Sequence, residues 1–218
     1  LTNRDVVDPD AELKIHITVD EEAGTLTISD TGIGMSSEDM VNNLGTIARS
    51  GAKAFIEAMK DAKEGGASAH EVIGQFGVGF SSVFMVADEV RVVSKSYLPD
   101  APAVAWISDG SDQYTIEDAE RENRGTDIII TLKNDAKDEF LKTWKIKGII
   151  REHSDYIAFP IYVGDEEEPT NKRTAIWRQN PSDVEDRDYN DFYKMLTMDF
   201  KDPALHIHMR ADVPLQFY

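Results

Sequence analysis

Two stretches near the start of the chain alternate apolar and polar residues with a period of two: Leu13-Lys14-Ile15-His16-Ile17-Thr18-Val19 and Thr25-Leu26-Thr27-Ile28-Ser29-Asp30. Each reads as a half-buried strand, and Asp20-Glu21-Glu22-Ala23-Gly24 between them reads as a turn, so the pair predicts a hairpin. After Met35, Ser36-Ser37-Glu38-Asp39 has the chemistry of a helix start, a hydroxyl cap followed by acids in the first turn. Met40, Leu44, Ile47 and Ala48 then recur at helical spacing. Residues 45–73 are rich in Gly and Ala, with a helical piece from Ala54 to Met59 broken at Glu64-Gly65-Gly66-Ala67-Ser68; a mobile cover segment is expected there.

Residues 79–87 are nearly all apolar and predict a short buried helix. Strands are expected near 89–95, 103–108, 112–117 and 126–132, of the kind that pair in an antiparallel sheet. Residues 137–150 predict one amphipathic helix with Phe140, Leu141, Trp144, Gly148 and Ile149 on its apolar face. Residues 159–163 predict a last strand. The charged, Pro-containing run Gly164 to Lys172 predicts a linker. Beyond it, Ala175-Ile176-Trp177, a helix near 187–197 and strands at 205–209 and 214–218 predict the start of another domain. The expected organisation is therefore a first domain over 1–163, a linker over 164–172 and a partial second domain over 173–218.

Composition narrows the chemistry. A hydrophobic share of 41% and a charged share of 29% are ordinary for a globular chain of 218 residues. No apolar run approaches membrane-spanning length. No membrane partner is expected, and the expected location is cytoplasmic. Cysteine is absent, which removes disulfide and thiolate chemistry. The net charge of −18 argues against nucleic acid as the main partner. It also means that a bound phosphate must be held by local donors against an unfavourable overall field. The first residues, Leu1-Thr2-Asn3-Arg4, carry neither an initiator methionine nor a signal-peptide pattern, so the chain is expected to lie within a longer protein.

Three glycine-containing motifs carry the candidate chemistry. Asp30-Thr31-Gly32-Ile33-Gly34-Met35 places a carboxylate at a strand end, with glycines that let a flat base lie against the backbone. A charged acceptor there suits the exocyclic amine of adenine and is worth about 1.5–3 kcal/mol. Gly74-Gln75-Phe76-Gly77-Val78-Gly79-Phe80 opens an apolar helix, whose first amides favour an anion. Its spacing is neither the Rossmann fingerprint nor a P-loop. Gly125-Thr126 starts a further strand, and its hydroxyl is placed to support the carboxylate. Asn43 adjoins an apolar helical stripe and suits a ribose or a phosphate, and Arg49 after it suits a phosphate. Taken singly, each also fits a plain turn, hinge, helix-surface amide, solvated charge or strand residue. His206 and His208 share a strand face in this reading, but with no third ligand nearby they are assigned to packing.

The conjunction is more specific than its parts. In order and spacing these motifs resemble the ATPase superfamily of DNA gyrase, heat-shock chaperones, histidine kinases and MutL. Asp30 to Met35, Asn43-Leu44-Gly45-Thr46-Ile47-Ala48, Ile73 to Phe80, His153-Ser154-Asp155-Tyr156-Ile157 and Arg178-Gln179-Asn180-Pro181 resemble the ninety-kilodalton heat-shock chaperone family. Within it the likeness is to the bacterial high-temperature protein G branch. The resemblance implies an α/β (α+β) two-layer sandwich, a mixed, mostly antiparallel sheet covered by helices, followed by the start of an α/β middle domain. It implies that Asp30 reads adenine with support from Thr126, that Gly34 belongs to the nucleotide-binding set, and that Met35, Leu44 and Phe80 line the base and sugar. It implies that Asn43 meets the ribose or α-phosphate, and that Arg49 and the amides of Gly77, Val78, Gly79 and Phe80 approach the phosphates of ATP or ADP.

The family's catalytic glutamate and its magnesium-holding asparagine sit on a helix expected upstream of Leu1. No catalytic residue and no Mg2+ ligand are therefore assigned in this chain. Ala52 stands where the family commonly has threonine, which removes a lid hydroxyl. The implied parent is an ATP-hydrolysing chaperone that acts on client polypeptides as a homodimer. A nucleotide-binding module without turnover is the alternative, and the chain by itself is expected to be inactive. A kinase or topoisomerase reading lacks, respectively, a phospho-acceptor histidine segment and a basic face.

Overall fold

The early alternation produces the expected hairpin. In the computed structural model, which describes residues 6–45 and 79–209, β1 (Ile15–Asp20) and β2 (Thr25–Asp30) pair antiparallel, with Val19 opposite Leu26 and Ile15 opposite Asp30. Five further strands are β3 (Ala87–Lys95), β4 (Ala103–Ser108), β5 (Thr115–Asp118), β6 (Gly125–Leu132) and β7 (Ile161–Val163). They form one sheet in the order β5-β4-β3-β6-β2-β1-β7, in which only the β1–β7 pair is parallel.

Residues directly opposite each other share a sheet face. The register therefore builds cross-strand rows. One row is Val19, Leu26, Ile130, Val90; the next is Val163, Ile17, Ile28, Ile128, Val92, Trp106, Ile116. Helical residues close over this face. Met40 of α1 (Ser37–Leu44) and Ile146 and Ile150 of α3 (Thr143–His153) join Val90, Val92, Ile130, Leu132 and Trp106 in one buried cluster. This is a mixed, mostly antiparallel sheet covered by helices, the two-layer arrangement that the family resemblance implies.

Three expectations are corrected. The helix expected over 137–150 is two: α2 (Lys137–Phe140) and α3, separated at Leu141 and Lys142. Leu141 is buried and ends α2 by donating its N–H to the Lys137 carbonyl, while Lys142 is extended. The break rotates α3, so Ile146 and Ile150, four residues apart, face inward and Trp144 is 70% exposed. The apolar run after Gly79 is a 3-10 helix, Phe80–Met85, with no fully buried residue. Phe80 and Val83, which eclipse at its three-residue repeat, pack on the core while Met85 is 79% exposed. Residues 205–209 form no strand, and Leu205, Ile207 and Met209 are exposed. The helix expected near 187–197 is α4 (Asp186–Thr197), opened by a Glu185–Asp188 capping box. The strand expected at 214–218 lies outside the described residues.

The charged run after β7 is fastened to the sheet edge. Gly164 N–H donates to Ile17 O at 2.9 Å, continuing the β1–β7 ladder. On the other side of β7, the buried Asn171 accepts from Ile161 N at 2.9 Å and donates to Ile157 O and Phe159 O at 2.9 and 3.0 Å. Thr170 N–H donates to Ile161 O at 2.7 Å. Substituting Asn171→Ala strands main-chain groups inside the fold. It should lower the unfolding free energy by about 1–3 kcal/mol in urea titration, with the denaturant slope unchanged.

Candidate functional site

The apolar rows of the sheet end in a polar one. Beyond Ile28, Ile128 and Val92, the next row on the same face is Asp30, Thr126 and Ser94. Ser94 and Thr126 are buried. The Ser94 Oγ accepts from Met35 N at 2.8 Å and lies 2.9 Å from both Gly125 O and Thr126 Oγ1. The hydroxyl row is thus satisfied internally and anchors the turn that follows β2.

That turn is pressed onto the ends of β3 and β6. Gly34 has φ +63°, and a Cβ there would overlap the Lys95 carbonyl. Gly125 has φ +123°, and a Cβ there would overlap the Asp30 carbonyl. Both positions therefore need glycine on grounds of conformation and of space. Tyr97 N donates to Ile33 O at 2.7 Å and closes the same contact from outside. The turn then feeds α1 through the predicted cap: Ser36 Oγ accepts from Asp39 N, and Asp39 Oδ2 accepts from Ser36 N at 2.9 Å.

Asp30 is half-buried, and Gly32 N donates to its Oδ1 at 2.7 Å. Burial is the largest influence and raises its pKa above the ordinary carboxylate value; the Gly32 amide, the Arg121 guanidinium and the Thr126 amide pull the other way, and Asp127 adds a smaller rise. A carboxylate held near water but partly stripped of it, on a bed of satisfied hydroxyls, is a strong acceptor for a flat donor edge.

Met35, Leu44 and Phe80 all pack against the central cluster. Asn43 is half-buried on α1, three residues after the fully buried Met40 and so on the same side of the helix. Phe80 stands edge-on to Trp106 at 5.8 Å between centroids. Gly79 is exposed and caps the 3-10 helix. Arg49, Gly77 and Val78 lie outside the described residues, as does the cover segment from Thr46 to Ile73. Among the described residues there is no group of three or more His, Cys, Asp or Glu that could hold a metal ion. No helix among them is long and apolar enough to cross a membrane.

Three residues at this end of the sheet escaped the motif reading: Ser94, Arg121 and Arg124. Ser94 had a signal, since it takes the next inward position after Val90 and Val92 in a strand of period two. The arginines read as ordinary charges in the polar stretch before Gly125.

Comparison with known proteins first defines the class. Residues 6–106 match the family model described as histidine kinase-, DNA gyrase B- and HSP90-like ATPase. That span holds Asp30, Gly34, Met35, Asn43, Leu44, Phe80 and Ser94. Residues 163–218 match the model described as Hsp90 protein. Over 218 residues, all of this chain and 34% of the relative, it is 43% identical to the chaperone protein HtpG of Chlorobaculum tepidum. It is 46% identical to HtpG of Nitratidesulfovibrio vulgaris over 97% of this chain and 33% of that protein. It is 42% identical to the mitochondrial heat shock protein 75 kDa of Rattus norvegicus over 94% of this chain and 28% of that one. Along its whole length the chain is similar to proteins of the Hsp90 family, and it spans about a third of the length of the relatives it matches.

The pKa of Asp30 makes a stability prediction. A carboxyl whose folded-state pKa is raised contributes stability at low pH, and that contribution is lost as pH rises through the raised value. Asp30→Asn keeps an acceptor for Gly32 N but carries no charge. Without nucleotide it should raise the melting temperature at neutral pH by about 2–4 °C per kcal/mol relieved, with the gain vanishing near pH 3. Calorimetric melts across that range check it.

Proposed function

We propose that this chain is the nucleotide-binding part of an ATP-dependent molecular chaperone. The observation that carries the reading is the polar row Asp30–Thr126–Ser94, set at the end of an otherwise apolar face, with the Asp30 carboxylate partly desolvated. In this reading Asp30 accepts from the exocyclic amine of adenine, and Thr126 supports it. Gly34 lets the base approach the backbone, and Met35, Leu44 and Phe80 line the base and sugar. Asn43 turns to the ribose or α-phosphate. Arg49 and the amides of Gly77, Val78, Gly79 and Phe80 take the phosphates, which suits a chain whose net charge of −18 repels them elsewhere.

Its domain organisation is read as a nucleotide domain over 1–163, a linker over 164–172 and the beginning of a middle domain over 173–218. In the whole protein, a homodimer in the cytoplasm, ATP with Mg2+ favours a closed arrangement and hydrolysis to ADP releases it. Closure follows only so far as ATP meets the closed state better than the open one. Client polypeptides are the partners; nucleic acid and membrane are not.

Isothermal titration of the full-length protein with ADP, together with phosphate release from ATP, tests this. Saturable ADP binding that Asp30→Asn weakens by at least tenfold, the loss of about 1.5 kcal/mol of charged hydrogen bond, is expected. Unchanged affinity in that variant would remove the base-reading role from Asp30. Binding without phosphate release would assign the protein to nucleotide-dependent switching without turnover.

A further inference from the structure

The connection between β5 and β6 carries two guanidinium groups that grip the back of the Asp30 turn. Arg121 Nη2 donates to Asp30 O at 2.9 Å. Arg124 Nη1 donates to Thr31 O and to Gly32 O, each at 2.6 Å. Three consecutive carbonyls are thus held from one side by neighbouring arginines. Arg124 also donates from Nε to Val7 O at 2.9 Å and from Nη2 to Asp8 O at 3.2 Å, and it is only 4% exposed. Arg121 is itself fixed, through Nη1 to Asp127 Oδ1 at 2.5 Å and Nε to Asn123 O at 3.0 Å.

The peptide unit joining Thr31 and Gly32 connects this grip to the candidate site. Its carbonyl is taken by Arg124, and its N–H, on the opposite edge of the same rigid plane, is the donor to Asp30 Oδ1 at 2.7 Å. Turning that plane would turn the carboxylate. A guanidinium bonded to the carbonyl also polarises the amide, which strengthens the N–H as a donor. Lysine cannot replace this arrangement, because a single ammonium lacks the planar fork that spans Thr31 O, Gly32 O, Val7 O and Asp8 O together.

We propose that Arg124, seconded by Arg121, is a positioning residue for base recognition: it sets the rotation of the Asp30 carboxylate through the Thr31–Gly32 peptide. This rests on the reading of Asp30 as the group that meets the adenine amine. The role differs from general scaffolding because it acts on one atom of the ligand. Loss of Arg124 should weaken recognition of the amine and leave the hold on the phosphates in place.

The test compares ADP with inosine diphosphate, which carries a carbonyl where adenine has the amine, and adds inorganic triphosphate as a base-free probe. Titrations use the full-length protein as wild type, Arg124→Lys, Arg121→Gln and Asp30→Asn. In Arg124→Lys the preference for ADP over inosine diphosphate should fall by about tenfold, with triphosphate affinity unchanged. Arg121→Gln should shift the same ratio in the same direction, and it carries the test if Arg124→Lys does not fold. An equal loss for all three probes, or an unchanged ratio in the arginine variants while Asp30→Asn abolishes it, would overturn the positioning role. An unchanged ratio in Asp30→Asn would instead overturn the site reading beneath it.

Discussion

The whole arrangement turns on bringing one ionisable carboxyl to the end of an apolar sheet face without leaving it stranded. Leu26, Ile28 and Asp30 occupy successive positions on one side of β2. The first two are met by Ile130 and Ile128, but the third is met by Thr126 and, one strand further, Ser94. Removing a carboxylate from water is costly unless hydrogen bonds compensate. Here the Gly32 amide and the Arg121 charge lie against it, yet burial still dominates its pKa.

Close packing enforces this geometry more than any single bond does. Gly34 against the Lys95 carbonyl and Gly125 against the Asp30 carbonyl bring three backbone segments closer than side chains would allow. A turn so confined has few alternative conformations. The electrostatics are equally local. In a strongly acidic chain, Arg121 and Arg124 place two positive charges behind the turn.

Much of the fold was legible because simple periodicities met no competition. The β1–β2 hairpin, the Ser36 cap and the β6 run follow from alternation and capping chemistry. The misreadings have physical causes. A helix over 137–150 was expected because apolar residues continue through Leu141, and the burial of that same side chain turned the chain out of the helix. The apolar residues 79–87 suggested burial, but a tight 3-10 coil can face the core with only part of its surface. In the candidate site, Asp30 and the glycines were visible because their residue types are chemically pointed. Arg124 was not, since a lone arginine in a polar stretch reads as solvated. Its burial depends on carbonyls contributed by residues 7, 8, 31 and 32, far from it in sequence.

Asn171 carries a consequence for the margin of the sheet. The outward-facing amide and carbonyl of Ile161 are occupied by the Asn171 side chain and the Thr170 main chain, so one residue's carboxamide imitates a missing neighbour strand. At the opposite margin, β5 has only four residues and ends in Glu117, whose carboxylate is paired with Arg91 at 2.6 Å, and in the exposed Asp118, whose charge repels an approaching acidic copy. The molecule therefore presents no long vacant rail of backbone donors and acceptors at either end of its described sheet. It terminates its own β-pairing chemically at one border and electrostatically at the other, a built-in guard against edge-to-edge polymerisation.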